Sequence, residues 1–471
     1  MPLVLGVDSS TQSTKVEIRD ADSGELVAHG RAPHPATTPP RSEQDPNAWW
    51  DALGAAIGAA GDAVNDVAAV AVAGQQHGMV VLDADDQVIR PAKLWNDTES
   101  APDARWLVDR LGGAAAWAGV CGSVPVAAFT ITKLSWLHRT EPDAWARIAR
   151  VCLPHDWLNR RLTGEFVTDR GDASGTGYFS AARDEYALDL LAIVDDGVDW
   201  AARLPRVLKP TERVGTTTDL GLDALVAPGT GDNMAAAVAL ALRPGDVAIS
   251  LGTSGTAYTV SESPTADAGG AVAGFADATG RFLPLVCTLN ATKVTDSMAG
   301  WLGVDIAEFD ALALAAPPGS GGVVVVPYLD GERTPNRPDA SGAITGLRTV
   351  TSREQLARAA VEGVVCGVLE GLDALTGAGV RAAGDIVLIG GGARSRAYQR
   401  VLADLSGRRV VVPDETEHVA AGACVQAAAT LRDREIVAVA HEWMLGRGAT
   451  VEADTNVDRA GVREAYAAAR G

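Results

Sequence analysis

The chain has 471 residues, 47% of them hydrophobic and 21% charged, so it is long enough for two cores and too apolar to stay disordered. A net charge of −20 argues against a nucleic-acid backbone or an anionic membrane as main partner, though backbone N–H groups can still hold a small anion locally. Five scattered cysteines, no zinc-type Cys/His spacing, no basic leader and no membrane-length apolar run point to a cytoplasmic protein with reduced thiols.

An apolar strand is expected over Leu3–Val7, followed by the hydroxyl-rich stretch from Asp8 to Thr14. Strands at Lys15–Arg19 and Glu25–Gly30 complete a meander. Pro33 to Pro46 reads as a loop, and Trp49–Val64 has helical spacing. Val67–Ala73 is a buried-strand pattern that runs into Gly74-Gln-Gln-His-Gly78, with a further strand at Met79–Leu82. Leu94-Trp-Asn-Asp97 opens a loop; helices are expected near 101–111, 131–139 and 142–149, and short mixed elements over 150–226.

Pro228, Gly229 and Gly231 form a bend that ends in Asp232-Asn233, and an Ala-rich helical run follows from Ala235 to Leu242. A strand at Asp246–Leu251, the turn Gly252-Thr-Ser-Gly255 and a returning strand at Thr256–Val260 echo the opening of the chain. Ile386–Ile389 runs into Gly390-Gly-Gly392 as Val67–Ala73 runs into Gly74, and a helix follows over Arg396–Ser406. Two copies of one α/β plan are expected, with the seam near residue 243, and a helical tail beyond Leu431 interrupted at 446–458.

Turns of Gly, Ser and Thr between strands present N–H groups and hydroxyls to one point, as phosphate oxygens require; the same turns also read as ordinary hairpins. Asp8 would repel a phosphate unless a cation lies between, which brings in Mg²⁺. No Gly-x-x-x-x-Gly-Lys-Ser/Thr loop and no Gly-x-Ser-x-Gly elbow is present. Three glycines at 390–392 let a flat ligand approach the backbone, beyond what a simple strand-to-helix turn needs. His77 among amides and glycines, with the aromatic and polar set Trp95, Asn96 and Asp97, suits a sugar or polyol; a lone His also reads as a core residue. Asp232 reads either as an N-cap or as a general base.

Taken together, these stretches resemble the FGGY family of carbohydrate kinases across nearly the whole chain. The stretches that carry the resemblance are Ser42-Glu-Gln-Asp-Pro46 with Trp49-Trp50, Ala73 to Gly78, Arg90 to Asp97, Gly231-Asp-Asn233, Ser250 to Gly255, Pro327 to Pro335 and Ile389 to Ser395, with Gly342 to Leu347 and Ala359 to Glu362 as a C-terminal signature. The resemblance implies two actin-like (ribonuclease H-like) α/β domains, residues 1–242 and 243–471, with a cleft between them. It implies Asp232 as catalytic base, and Gln76, His77 and Asn233 as sugar contacts beside the loop Trp95, Asn96 and Asp97. Asp8 and Thr11 match the first phosphate loop, Gly252 and Thr253 the second, and Gly391, Gly392 and Ala393 the adenosine loop. ATP and Mg²⁺ follow, the metal near Asp8 and Asp232, with D-xylulose as the nearest sugar in the family and ribulose, gluconate or glycerol as alternatives. A homodimer is a further implication. A non-catalytic actin-like ATPase switch would share the turns but not the sugar-type loop. The chain departs from the family pattern at Ser9-Ser10 and Gln12-Ser13, where glycines are common, at Gln76, where bacterial relatives often have Met, and at Ala128, which opens the N-terminal signature.

Overall fold

The computed structural model describes residues 2–471. The chain forms two units: residues up to Ala241 with Glu262–Leu283 and Glu417–Leu445, and Leu242–Ser261 with Pro284–Thr416 and Gly446–Gly471. The chain first passes from one to the other between Ala241 and Leu242, and two later segments belong to the first unit.

In the first unit the sheet runs in the order Gly215–Thr216, Leu225–Val226, Val67–Gly74, Leu3–Ser9, Ser13–Asp20, Leu26–Pro33. Leu3–Ser9 is antiparallel to Ser13–Asp20 and parallel to Val67–Gly74, with Asp8 opposite both Lys15 and Ala73. Thr230–Gly231 pairs with the end of Val67–Gly74 from its other side, Thr230 opposite Ala73. Asp8 and the bend before Asp232 therefore flank one strand at its carboxyl end, where open parallel sheets bind ligands. Alternation buries Leu3, Leu5, Val7, Val16, Ile18, Val70 and Val72 in one core with Trp49, Leu53 and Ile57 of the helix Pro46–Ala59. On the opposite face Gly6 lets the helix His418–Arg432 approach, since a Cβ there would lie 2.0 Å from the Ala420 carbonyl oxygen. A second apolar cluster holds Trp117, Leu134, Leu137, Trp145, Leu190 and Trp200.

The second unit repeats the plan. Val247–Leu251 is antiparallel to Gly255–Thr259 and parallel to Ile386–Ile389, and Val410–Pro413 and Gly448–Val451 continue that sheet. The 25-residue helix Arg353–Gly377 opens on a capping box between Ser352 and Gln355. The two-copy plan read from strand–turn echoes is thus present as topology, the mixed-sheet α/β architecture of actin-like domains.

Several boundaries differ from expectation for local reasons. The first long helix begins at Pro46 rather than Trp49, because Asp45 caps it and proline suits its first position; it ends at Ala59, and Gly61–Asp66 tightens into a 3₁₀ turn. The helix expected at 142–149 is the single turn Pro142–Trp145. The helix expected from Ala235 to Leu242 spans Asp232–Ala239. None of the five cysteines is in a disulfide; Cys287 is half-buried and the others are buried. Among the described residues no helix is long and apolar enough to cross a membrane.

Candidate active site

Asp232 is the first residue of its helix, and the cap is Gly231, whose extended backbone (φ −71°, ψ 156°) makes no side-chain capping bond. The N-cap reading is therefore corrected. The Asp232 carboxylate instead turns back on its own helix start. Its Oδ1 accepts the Asn233 N–H at 2.8 Å and the Asn233 Nδ2 at 3.0 Å. The same Nδ2 donates to Gln76 Oε1 at 2.9 Å, so Gln76, Asn233 and Asp232 form one hydrogen-bonded row. Gly231 permits it: a Cβ there would lie 2.8 Å from Gln76 Cγ.

Asp232 keeps some accessible surface, but protein surrounds it closely enough that burial, then the Asp8 carboxylate, push its pKa up to about 7. The helix N-terminus and Asn233 oppose this and lose. Asp8 is buried and also raised, chiefly by burial, against the pull of Lys15 at 3.5 Å and a hydrogen bond from Ser10. Lys15 is shared with Glu417 at 2.5 Å. Two crowded carboxylates with one shared ammonium form a donor set that a hard divalent cation would relieve, so the residues present fit Mg²⁺.

His77 adopts a left-handed backbone (φ 68°) and is buried. Its Nδ1 lies 2.5 Å from the Gly175 carbonyl oxygen, and its ring packs against Phe129 and Phe275 at 5.0 and 5.6 Å. A carbonyl can only accept, so Nδ1 carries a proton. Thr130 Oγ1 holds the His77 carbonyl at 3.1 Å.

Trp95 is exposed, and its indole N–H donates to Thr11 Oγ1 at 2.8 Å; Thr11 in turn donates to Gln75 Oε1 at 3.2 Å. The sugar-type loop and the first hydroxyl turn, read separately in the sequence, are one hydrogen-bonded assembly. The Gln75 and Gln76 Nε2 atoms and Asn96 Oδ1 are buried without a hydrogen-bond partner. Asp97 differs from its neighbours. It is fully buried and accepts from Ser42 N–H and Lys93 Nζ, both at 2.9 Å, and from Glu99 N–H at 3.1 Å. It braces the loop rather than facing a ligand. Glu43, Asp97 and Glu99 have metal-ligand spacing, but Lys93 Nζ already sits among them at 3.2, 2.9 and 2.6 Å, and Arg90 pairs with Glu43 at 2.6 Å.

In the second unit Gly252 and Thr253 form the tight turn, anchored by Thr292 and Ala291 N–H groups donating to their carbonyls at 2.8 and 3.1 Å. Gly390 (φ 83°) would place a Cβ 2.7 Å from the Leu251 carbonyl oxygen, and one on Gly392 would lie 2.8 Å from Leu251 Cβ. Strand contact requires those two glycines, whereas Gly391 has open space beside it. Gly391 and Gly392 line a cavity of about 620 Å³ with Thr292, Asp296, Phe309 and Tyr398. Ala393 is buried beside it, its carbonyl taken by Gln399 Nε2 at 2.7 Å.

The sequence reading missed His155, Asp169, Asp172 and Gly175. They stand in 150–226, which showed only short elements; the acid-rich run Thr168-Asp-Arg-Gly-Asp172 was the available signal.

The model of the FGGY family of carbohydrate kinases matches this chain twice, its N-terminal domain over residues 3–239 and its C-terminal domain over 247–431. A xylulose kinase of Streptomyces coelicolor is 50% identical over 457 residues, covering 96% of this chain and 93% of that protein. A xylulose kinase of Escherichia coli is 35% identical, covering 87% and 86%. The crystal structure of a xylulose kinase from Bifidobacterium adolescentis superposes with a TM-score of 0.88 at 42% identity, over 100% of this chain and 99% of that one. Matched in both halves, in sequence and in fold, the chain belongs to the FGGY family of carbohydrate kinases.

Proposed function

We propose that this chain transfers the γ-phosphoryl group of ATP to D-xylulose, giving ADP and D-xylulose 5-phosphate, with Asp232 as general base. The observation that carries the reading is the Asp232 carboxylate, reachable, hydrogen-bonded to Asn233, whose amide also donates to Gln76, and poised at a pKa of about 7. D-xylulose is chosen because the relatives at 50% and 35% identity are xylulose kinases.

In the reaction a sugar hydroxyl oxygen bonds to the γ-phosphorus as the bond from that phosphorus to the bridging oxygen of ADP breaks. The hydroxyl proton passes to Asp232 and then to solvent. A base held near neutrality accepts that proton without strong prior binding of it. His77, its ring fixed by the Gly175 carbonyl, would hydrogen-bond a sugar hydroxyl. Gln76, Asn233, Trp95 and Asn96 would orient the sugar, with Asp97 bracing their loop. Thr11, Gly252 and Thr253 would meet phosphate oxygens, and Gly391 and Gly392 the adenosine, with Ala393 as support. Mg²⁺ held near Asp8 and Asp232 would neutralise phosphate charge. Positioning and charge neutralisation are the main demands of phosphoryl transfer. Residues 1–242 are proposed as the sugar-side domain and 243–471 as the nucleotide-side domain. We propose a cytoplasmic enzyme that can form a homodimer and whose partners include neither nucleic acid nor membrane.

A panel of D-xylulose, D-ribulose, gluconate and glycerol in a coupled ADP-release assay tests this. D-xylulose is expected to give the highest kcat/KM. Faster turnover of another sugar would reassign the substrate, and ADP release indifferent to every sugar would remove the kinase reading.

A further inference from the structure

Four ionisable side chains outside the site residues share one sealed region of the first unit. His155 and Asp172 have no exposed surface, and Asp156 and Asp169 have 1% and 3%. His155 Nδ1 lies 2.7 Å from Asp172 Oδ2 and 3.3 Å from Asp156 Oδ1, and its Nε2 lies 3.8 Å from Asp169 Oδ1. Burying a cation with three carboxylates seldom adds net stability, because desolvation offsets the attraction. The satisfaction is also incomplete: His155 Nε2, Asp156 Oδ1 and Asp172 Oδ1 have no hydrogen-bond partner.

The cluster touches the backbone of the segments that carry Asp232 and His77. His155 packs under Gly74, where a Cβ would approach its own Cβ to 2.9 Å, and under Gly229, where a Cβ would approach its Cδ2 to 3.0 Å. Asp169 Oδ2 accepts from Thr230 Oγ1 and from the Gly171 N–H, both at 2.8 Å, and Oδ1 from the Asp172 N–H at 2.9 Å. Asn159, one turn along the His155 helix, donates to the Pro228 carbonyl at 2.7 Å. Asp172 begins the turn that ends in Gly175, whose carbonyl fixes the His77 ring.

We propose that His155 is a cationic positioning residue, whose ion pairs with Asp156, Asp169 and Asp172 hold the Pro228–Gly231 bend and the Gly175 carbonyl where Asp232 and His77 need them for sugar. The proposal rests on the reading of Asp232 and His77 as sugar-site residues. The surrounding groups agree with a cationic ring. Despite burial, which acts the other way, the three carboxylates raise His155 to about 9, while burial lifts Asp156 to about 7 and Asp172 to about 6. Asp232 adds to the rise at Asp172, and Thr168 hydrogen-bonds Asp156. Cys152, Tyr178 and Tyr186, the other titratable groups near Asp156, are held neutral by burial.

The test compares the full-length wild type with His155→Gln, His155→Lys and Asp172→Asn, using KM values for D-xylulose and ATP and the ¹⁵N shifts of the His77 ring. His155→Gln is expected to raise the sugar KM about tenfold or more, leave the ATP KM within about twofold, and erase the Nδ1–H preference of His77. His155→Lys, which keeps the charge, is expected to recover most of the loss. A folded His155→Gln with an unchanged sugar KM and an unchanged His77 tautomer overturns the proposal. So does an ATP KM that rises in step with the sugar KM, or a folded His155→Lys as impaired as His155→Gln. If His155→Gln does not fold, Asp172→Asn decides by the same two readouts. A wild type inactive on D-xylulose defeats the substrate reading alone, since the His77 shifts still report on the clamp.

Discussion

Asp232 makes the pH dependence of catalysis predictable. Its carboxylate is raised from an ordinary value of 3.8 to about 7, first by burial and then by Asp8. The protonated form is the inactive one, so activity is full well above pH 7 and falls as pH drops through it. At pH 6 about one Asp232 in eleven is ionised, and kcat/KM should stand about tenfold below its plateau; at pH 5 the loss approaches about a hundredfold. The plot of log kcat/KM for D-xylulose should reach a slope of one below pH 6. Asp156 and Asp172 titrate in the same range, but their causes do not include Asp8. Asp8→Asn therefore separates them: it removes the second cause at Asp232 and should move the limb of the residual activity to lower pH. The assay is initial-rate ADP release in constant-ionic-strength buffers from pH 5 to 9. A flat profile across that range, or a limb that Asp8→Asn leaves in place, would refute the reasoning.

Three further outcomes follow from contacts already described. His77→Ala should raise the KM for sugar and leave that for ATP near its original value; steady-state kinetics with each substrate varied in turn would show it, and an effect confined to ATP would count against the assignment. Lys93→Met leaves the buried Asp97 without its ammonium, while Glu43 keeps Arg90, and should cost about 3–5 kcal/mol in urea unfolding. A loss below about 1 kcal/mol there would mean that the ammonium is not what holds Asp97. Gly6→Ala forces a methyl toward the Ala420 carbonyl oxygen and should lower stability by about 1–3 kcal/mol or more; an unchanged melting temperature would contradict the close packing of the helix His418–Arg432 on that strand.

Much of this was legible in the sequence because the relevant residues are contiguous. A hydroxyl turn between two strands is local, so its recurrence at 8–14 and 252–255 exposed the two-copy plan. Gln76-His77 and Asp232-Asn233 sit at strand and helix ends whose periodicity is readable. Helix ends were less so: an Ala-rich run gives no sign that the helix begins at Asp232, three residues before it, with Gly231 as the cap. Asp97 looked like a ligand group because its partner Lys93 becomes a partner only when the chain folds back over the loop. The His155 cluster was the least visible. Its His155–Asp172 and Asp169–Thr230 bonds join residues 17 and 61 positions apart, and the bond it supports at His77 spans 98. No periodicity records such pairings, since they arise where separate segments meet under one strand end.

The central claim is that Asp232 takes the proton from a sugar hydroxyl. The most direct measurement is D-xylulose-dependent ADP release by Asp232→Ala against wild type, with ATP binding measured on both. Asp232→Ala is expected to keep its fold and ATP affinity, with turnover down by roughly 10²-fold or more. Near-normal turnover in the folded variant would contradict it.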